Sequence, residues 1–271
     1  MKATRKIIMT LAVAVICAPL LATVAQADPI IPTNVRPVAG VPANAQLQGV
    51  LDTIYGCANC VNAVTDQNPA GMWAVPGAGF GGTLPILQFQ SGAFLNNVTF
   101  GIWSGTDTTA LTTVPIFSGL AGPGTIASLA WLVPGDPFTL TISGGANVNT
   151  GVFGPINRFG FGFYIDSPAI GGTDSKFWSV DQLNAGGVAQ MLAYTDAGLP
   201  GGANRWTFAW EDLNRFATTG PLFLPADNNF VDLVVHTESL VPLAPVPEPA
   251  TLALLALGLI GVAGFARRRP L

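Results

Sequence analysis

An all-β exported domain, an antiparallel β-sandwich or jelly roll, is the fold this sequence predicts. A signal helix precedes it and a single C-terminal transmembrane helix follows. Two observations predict the sandwich. From Met72 to Val235 the chain is a series of short apolar runs separated by Gly, Pro, Asn and Asp. The runs are Ile86 to Phe89, Val98 to Trp103, Ile126 to Val133, Phe138 to Ile142, Phe159 to Ile165, Val188 to Tyr194, Trp206 to Trp210 and Phe230 to Val235. Several also alternate at period two, as in Phe138, Leu140 and Ile142 against Thr139 and Thr141, or Phe159, Phe161 and Phe163 against Gly160 and Gly162. Strand-length runs with turn signals at short intervals belong to antiparallel sandwiches and barrels.

The chain opens on Lys2, Arg5 and Lys6, followed by an apolar stretch from Ile7 to Leu21. Ala25-Gln26-Ala27 then supplies a small-x-small cleavage site before Asp28. Residues 1–27 are therefore expected to be a secretory signal peptide, handled by the Sec export machinery and removed by signal peptidase. Cys17 invites a lipoprotein reading, but Ile16 stands where such signals place a small residue.

Residues 28–70 read as a linker and a short helix. Pro29, Pro32, Pro37 and Pro42 mark an extended start. Leu47, Val50, Leu51 and Ile54 recur at helical spacing from Ala45 to Tyr55, with Gly56 placed to end the helix. Cys57-Ala58-Asn59-Cys60 follows. In an exported protein the Cys57–Cys60 pair is expected to form a local disulfide, whose small loop gives modest entropic stabilisation. The competing readings are free or transient thiols, a redox pair and a metal site. A redox pair needs a thioredoxin-like βαβ context; zinc needs further ligands, and the sole histidine, His236, is far along the chain.

The exported part, 28–246, is long enough for one large all-β domain or two small ones; a single domain is placed at 71–240. It carries five basic and fourteen acidic residues, a net charge of −9. Neither nucleic acid nor anionic lipid is attracted to such a surface, whereas divalent cations are compatible with it. The Phe159 to Phe163 alternation admits an aromatic carbohydrate platform. A buried Phe face with glycines at close backbone approaches accounts for it more simply.

The sequence offers no catalytic constellation. A Ser-His-Asp triad has to use His236, which is expected near a strand end facing solvent, and no Gly-x-Ser-x-Gly elbow occurs. Phosphate-binding and His-Glu-x-x-His motifs are missing too. Glu211 and Asp212 are adjacent, and neighbours on a strand point to opposite faces, so that pair alone cannot flank a glycosidic bond. A non-enzymatic role is expected.

The tail, 241–271, carries the most specific signal. Pro247-Glu248-Pro249 precedes an uncharged span from Ala250 to Ala266, and Arg267-Arg268-Arg269 closes it. As a helix the span covers roughly 25 Å, slightly less than the hydrocarbon core, a shortfall that snorkelling arginines and local thinning can cover. The arginines favour the cytoplasmic side, which leaves the domain outside. An ordinary single-span anchor fits the span alone. Tripeptide, short Ala/Leu/Gly span and arginine cluster in this order resemble the PEP-CTERM sorting signal. The resemblance implies an exosortase as partner. This transpeptidase-like membrane enzyme cuts the tail and releases or re-anchors the protein, so contact with the inner membrane is transient.

A second likeness covers residues 176–235. Trp206-Thr207-Phe208-Ala209-Trp210-Glu211-Asp212 and Asp227-Asn228-Asn229-Phe230-Val231-Asp232-Leu233-Val234-Val235 are similar to markers of an uncharacterised domain of exported and PEP-CTERM bacterial proteins. Asn229 stands where that run usually has its second Asp, and Val231 where it has Asn. Phe100 to Trp103 and Leu47 to Ile54 extend the likeness loosely. The resemblance implies a surface or extracellular-matrix protein of an exopolysaccharide-producing Gram-negative bacterium. A calcium-stabilised glycan-binding module is the alternative, and an enzyme acting on matrix polysaccharide a third.

The residues themselves suggest where calcium could bind. If Trp206–Trp210 and Phe230–Val235 pair antiparallel, Glu211, Asp212, Asp227, Asn229 and Asp232 gather at one edge. Their oxygens are the hard ligands calcium takes. Turn capping, with Arg215 pairing one carboxylate, accounts for the same residues without a metal.

Overall fold

Period-two alternation forces one side chain in two towards each face of a strand, and the apolar runs pair accordingly. In the computed structural model the described residues are 41–68, 71–76, 81–83, 85–90, 98–105, 110–132, 136–167, 176–184, 187, 189–196, 198–199, 204–212 and 229–243. They belong to one compact unit. The expected signal peptide with Ala25, Ala27 and Asp28 lies outside them. So do Asp227, Arg215, the apolar span of the tail, Pro247, Glu248, Pro249 and the three arginines. No helix among the described residues is long and apolar enough to cross a membrane.

Among the described residues one α-helix, α1 (Val41–Tyr55), precedes fourteen strands. These are β1 (Trp73–Ala74), β2 (Gly81–Thr83), β3 (Ile86–Gln90), β4 (Thr99–Ser104), β5 (Thr112–Phe117), β6 (Ala127–Trp131) and β7 (Leu140–Gly144). They continue as β8 (Gly151–Phe153), β9 (Gly162–Asp166), β10 (Lys176–Trp178), β11 (Met191–Thr195), β12 (Trp206–Trp210), β13 (Leu233–Thr237) and β14 (Val241–Pro242). All pairings among the described strands are antiparallel. Three four-stranded sheets result, ordered β11-β12-β13-β3, β10-β9-β4-β5 and β2-β6-β7-β8, with β1 and β14 as a separate pair. The architecture is the antiparallel, all-β one the sequence predicts, and it is consistent with a β-sandwich.

The first two sheets share a core of aromatic residues. Phe163 of β9 lies 5.0 Å, ring to ring, from Phe208 of β12, and Phe100 of β4 lies 6.3 Å from Trp210. Trp73 of β1 packs on Phe208 at 4.7 Å. Leu129, Trp131, Leu140 and Ile142 of the third sheet join the same cluster. Phe161 and Phe163 are fully buried within it, so the Phe/Gly alternation is a core face; Phe159 alone is exposed. At about 2 kcal/mol per large apolar side chain removed from water, this cluster supplies most of the drive to fold.

The sheet β11-β12-β13-β3 is covered on its other face as well. Leu47 and Leu51 of α1, with Val61 and Ala63 after it, pack on Leu192, Tyr194, Ala209 and Val234. Burial on both sides explains why every residue of β12 is buried. The helix begins at Val41, earlier than its apolar spacing suggests, with Pro42 in the first turn, where a missing N–H leaves no gap. Gly56 ends it in the left-handed region, φ 70°.

Six of these strands, β1, β2, β5, β8, β10 and β14, are not among the apolar runs. Thr112–Phe117 contains Pro115, which β5 tolerates because it is the edge of its sheet. Gly151–Phe153 forms the edge of the third sheet. The run Phe230 to Val235 enters its strand only at Leu233. Phe230 sits outside the ladder, buried, with φ 54°, a backbone region that side chains rarely adopt.

Candidate functional site

The geometry expected for β12 and β13 is present. Trp210 pairs with Leu233 and Trp206 with Thr237, so the end of the first strand lies beside the start of the second. Beyond Trp210 the backbone leaves the ladder while still tethered to it. Glu211 N–H donates to the Gln190 carbonyl at 3.0 Å, and Asp232 N–H to the Trp210 carbonyl at 3.2 Å. Asp232 Oδ2 accepts from Asp212 N–H at 2.9 Å. Asn229 Oδ1 accepts from Val231 N–H at 2.8 Å, a local turn that turns the chain into Asp232.

Glu211, Asp212 and Asp232 thereby come together, each offering a carboxylate oxygen within 4.8 Å of the others. All three are buried, at 0%, 2% and 6% exposure. Strand alternation, which would have sent Glu211 and Asp212 to opposite faces, does not hold here because β12 ends at Trp210. Two unit charges at such a separation repel by about 3 kcal/mol at an effective dielectric near 20. Three buried carboxylates therefore need a proton, a cation or a basic side chain among them. Their donor chemistry fits calcium, which takes oxygen ligands in loose geometry. Asn229 is beside the cluster, its side-chain oxygen engaged in its own turn.

A second polar group lies on the helix-covered face of the same sheet. Tyr55, the last residue of α1, has its hydroxyl 2.8 Å from Thr207 Oγ1, and Thr207 Oγ1 is 3.0 Å from His236 Nδ1. The Tyr55 and His236 rings meet edge to face at 6.1 Å. His236 is thus not a solvent-facing strand end. It lies inside β13, partly buried beneath the end of the helix. Burial, and then the charge of Arg205, hold its pKa down at about 4. Burial pushes the Tyr55 hydroxyl up to about 12, against the opposing effect of its Thr207 hydrogen bond. No sequence spacing signals a contact between residues 152 positions apart. Only the packing of α1 on the sheet creates it.

The third feature follows α1 directly. Cys57 and Cys60 are joined, with Cα atoms 5.7 Å apart. Cys60 is exposed and Cys57 half-buried.

Fold and site together define an antiparallel β domain that, among the described residues, gathers three buried carboxylates at the end of β12. The tail is more particular. Residues 245–269 match the family model described as the PEP-CTERM protein-sorting motif. The motif marks an exported protein that is anchored in the membrane before an exosortase processes it. No curated protein and no solved structure matches the chain.

Proposed function

We propose that this is a non-enzymatic protein of the cell surface or extracellular matrix, deposited among exopolysaccharide after an exosortase removes its tail. The observation that carries the reading is the sorting motif at residues 245–269. A β domain with a core this rich in fully buried aromatics suits a passive scaffold, because such cores are close-packed. Export itself calls on the Sec machinery and signal peptidase. Glu248→Ala, expressed in an exosortase-bearing host, tests the route. Glu248 is the one charge within the tripeptide, so the variant is expected to stay in the membrane fraction while the parent reaches the outside. Equal release of both would contradict the proposal.

A second reading, a calcium-stabilised carbohydrate-binding module, is favoured by the buried carboxylates of Glu211, Asp212 and Asp232. Calcium there would neutralise the cluster and fix the approach of the two strands. A glycan array separates this reading from the first, since a passive scaffold gives no selective signal.

A further inference from the structure

The Cys57–Cys60 bond closes a four-residue loop at the end of α1, and the same stretch is held without it. Asp52 Oδ1 accepts from Asn59 N–H at 2.7 Å, inside the loop, and from Gln48 Nε2 at 2.8 Å. Gln48 also donates to the Val61 carbonyl at 2.9 Å and accepts from Ala63 N–H at 2.9 Å. From the sheet below, the Tyr194 hydroxyl donates to the Ala63 carbonyl at 2.8 Å. Val61 and Ala63 are themselves buried against that sheet. The polypeptide on both sides of the sulfurs is therefore fixed by hydrogen bonds and packing, and the shortest loops gain least from a cross-link.

The two sulfurs differ. Cys60 is exposed, whereas Cys57 is half-buried with its Sγ 3.5 Å from the Tyr55 carbonyl oxygen. A thiol formed at Cys57 would find in that carbonyl a ready acceptor. Residues 41–68 carry Asp52 and Asp66 and no basic side chain, so no cation of this segment stabilises a thiolate.

We propose that Cys57–Cys60 is a thiol-exchange site that a dithiol opens in the folded protein. A thiolate of the dithiol attacks Cys60 Sγ, the sulfur–sulfur bond breaks, and Cys57 leaves as a thiolate that takes up a proton. The second thiol of the reagent then attacks its own sulfur in the mixed disulfide and displaces Cys60, which is protonated in turn. The dithiol ends as a disulfide and the protein as a dithiol, a balanced two-electron exchange.

The test uses the exported protein under native conditions with dithiothreitol, iodoacetamide trapping and peptide mass mapping. Both cysteines are expected to be alkylated at a rate within about tenfold of a Cys-Ala-Asn-Cys peptide disulfide, since access sets the difference. Near-ultraviolet circular dichroism is expected to be unchanged by reduction, and a glutathione adduct, trapped with acid, to map to Cys60. Cys57→Ser/Cys60→Ser is expected to keep the parent spectrum. A slower reaction, reduction that needs denaturant, an adduct on Cys57, or loss of the near-ultraviolet signal on reduction would each overturn the proposal.

Discussion

Tyr164 of β9 lays its ring over Gly101, its direct partner on β4, so closely that a Cβ at Gly101 would lie 2.5 Å from Tyr164 Cζ. Two residues along, the relation is reversed: Trp103 covers Gly162, where a Cβ would lie 2.5 Å from Trp103 Cζ2. Trp178 closes over both rings, at 5.8 Å from Trp103 and 5.7 Å from Tyr164. These glycines exist to let the aromatics lie flat on the sheet. Gly101→Ala is expected to cost about 2–3 kcal/mol, as overpacking a filled site does. Gly122→Ala, with nothing within 4 Å of the added carbon, is the control and should stay near the parent. Thermal melting checks both; equal midpoints for the two variants would contradict the packing argument.

The acidic cluster makes the calcium reading measurable. A cation that binds only the folded state raises the melting midpoint, by about 2.7 kcal/mol of stability at a hundredfold excess over its dissociation constant. The midpoint should rise in calcium and fall in chelator, and Asp232→Asn should abolish the difference. Asp232→Ala also loses the bond from Asp212 N–H, about 1–2 kcal/mol. Midpoints that ignore calcium in the parent would leave the cluster a purely structural turn.

His236 gives the domain a pH dependence of known sign. Its folded pKa is about 4 and its ordinary one 6.5, so the unfolded chain takes up the proton first as pH falls. The stability held by neutral His236 is complete above pH 6.5, is lost on acidification towards pH 4, and levels off below. A shift of this size is worth on the order of 3 kcal/mol. His236→Asn, which keeps a side-chain partner for Thr207, should flatten the profile between pH 6.5 and 4 relative to the parent. Denaturant midpoints across that range decide it, and parallel profiles for the two proteins would refute it.

The two mature cysteines give a simpler expectation. Alkylation of freshly exported protein without reductant should label neither Cys57 nor Cys60. Full labelling of both would show free thiols.

Much of this arrangement is legible in the residues alone. Trp206 to Trp210 and Phe230 to Val235 announce strands, and their antiparallel pairing follows from the intervening loop; that places Asp232 beside Asp212. Strand β5 is less legible because Thr112, Thr113 and Pro115 interrupt any apolar run, and only its edge position makes Pro115 acceptable. The meeting of Glu211 with Asp212 depends on the strand ending at Trp210, which periodicity does not mark. Tyr55, Thr207 and His236 come together through a helix docking on a sheet, and docking leaves no local pattern. The tail is legible for the opposite reason: its signal is a linear string, which needs no folding to be read.

The central claim, that this domain is exported and then cut from its anchor, rests on that tail. Intact-mass measurement on the protein recovered from outside an exosortase-bearing host tests it directly. The mass should correspond to a chain beginning at Asp28 and lacking Ala250 to Leu271. A mass that retains an unmodified C-terminus at Leu271 would contradict it.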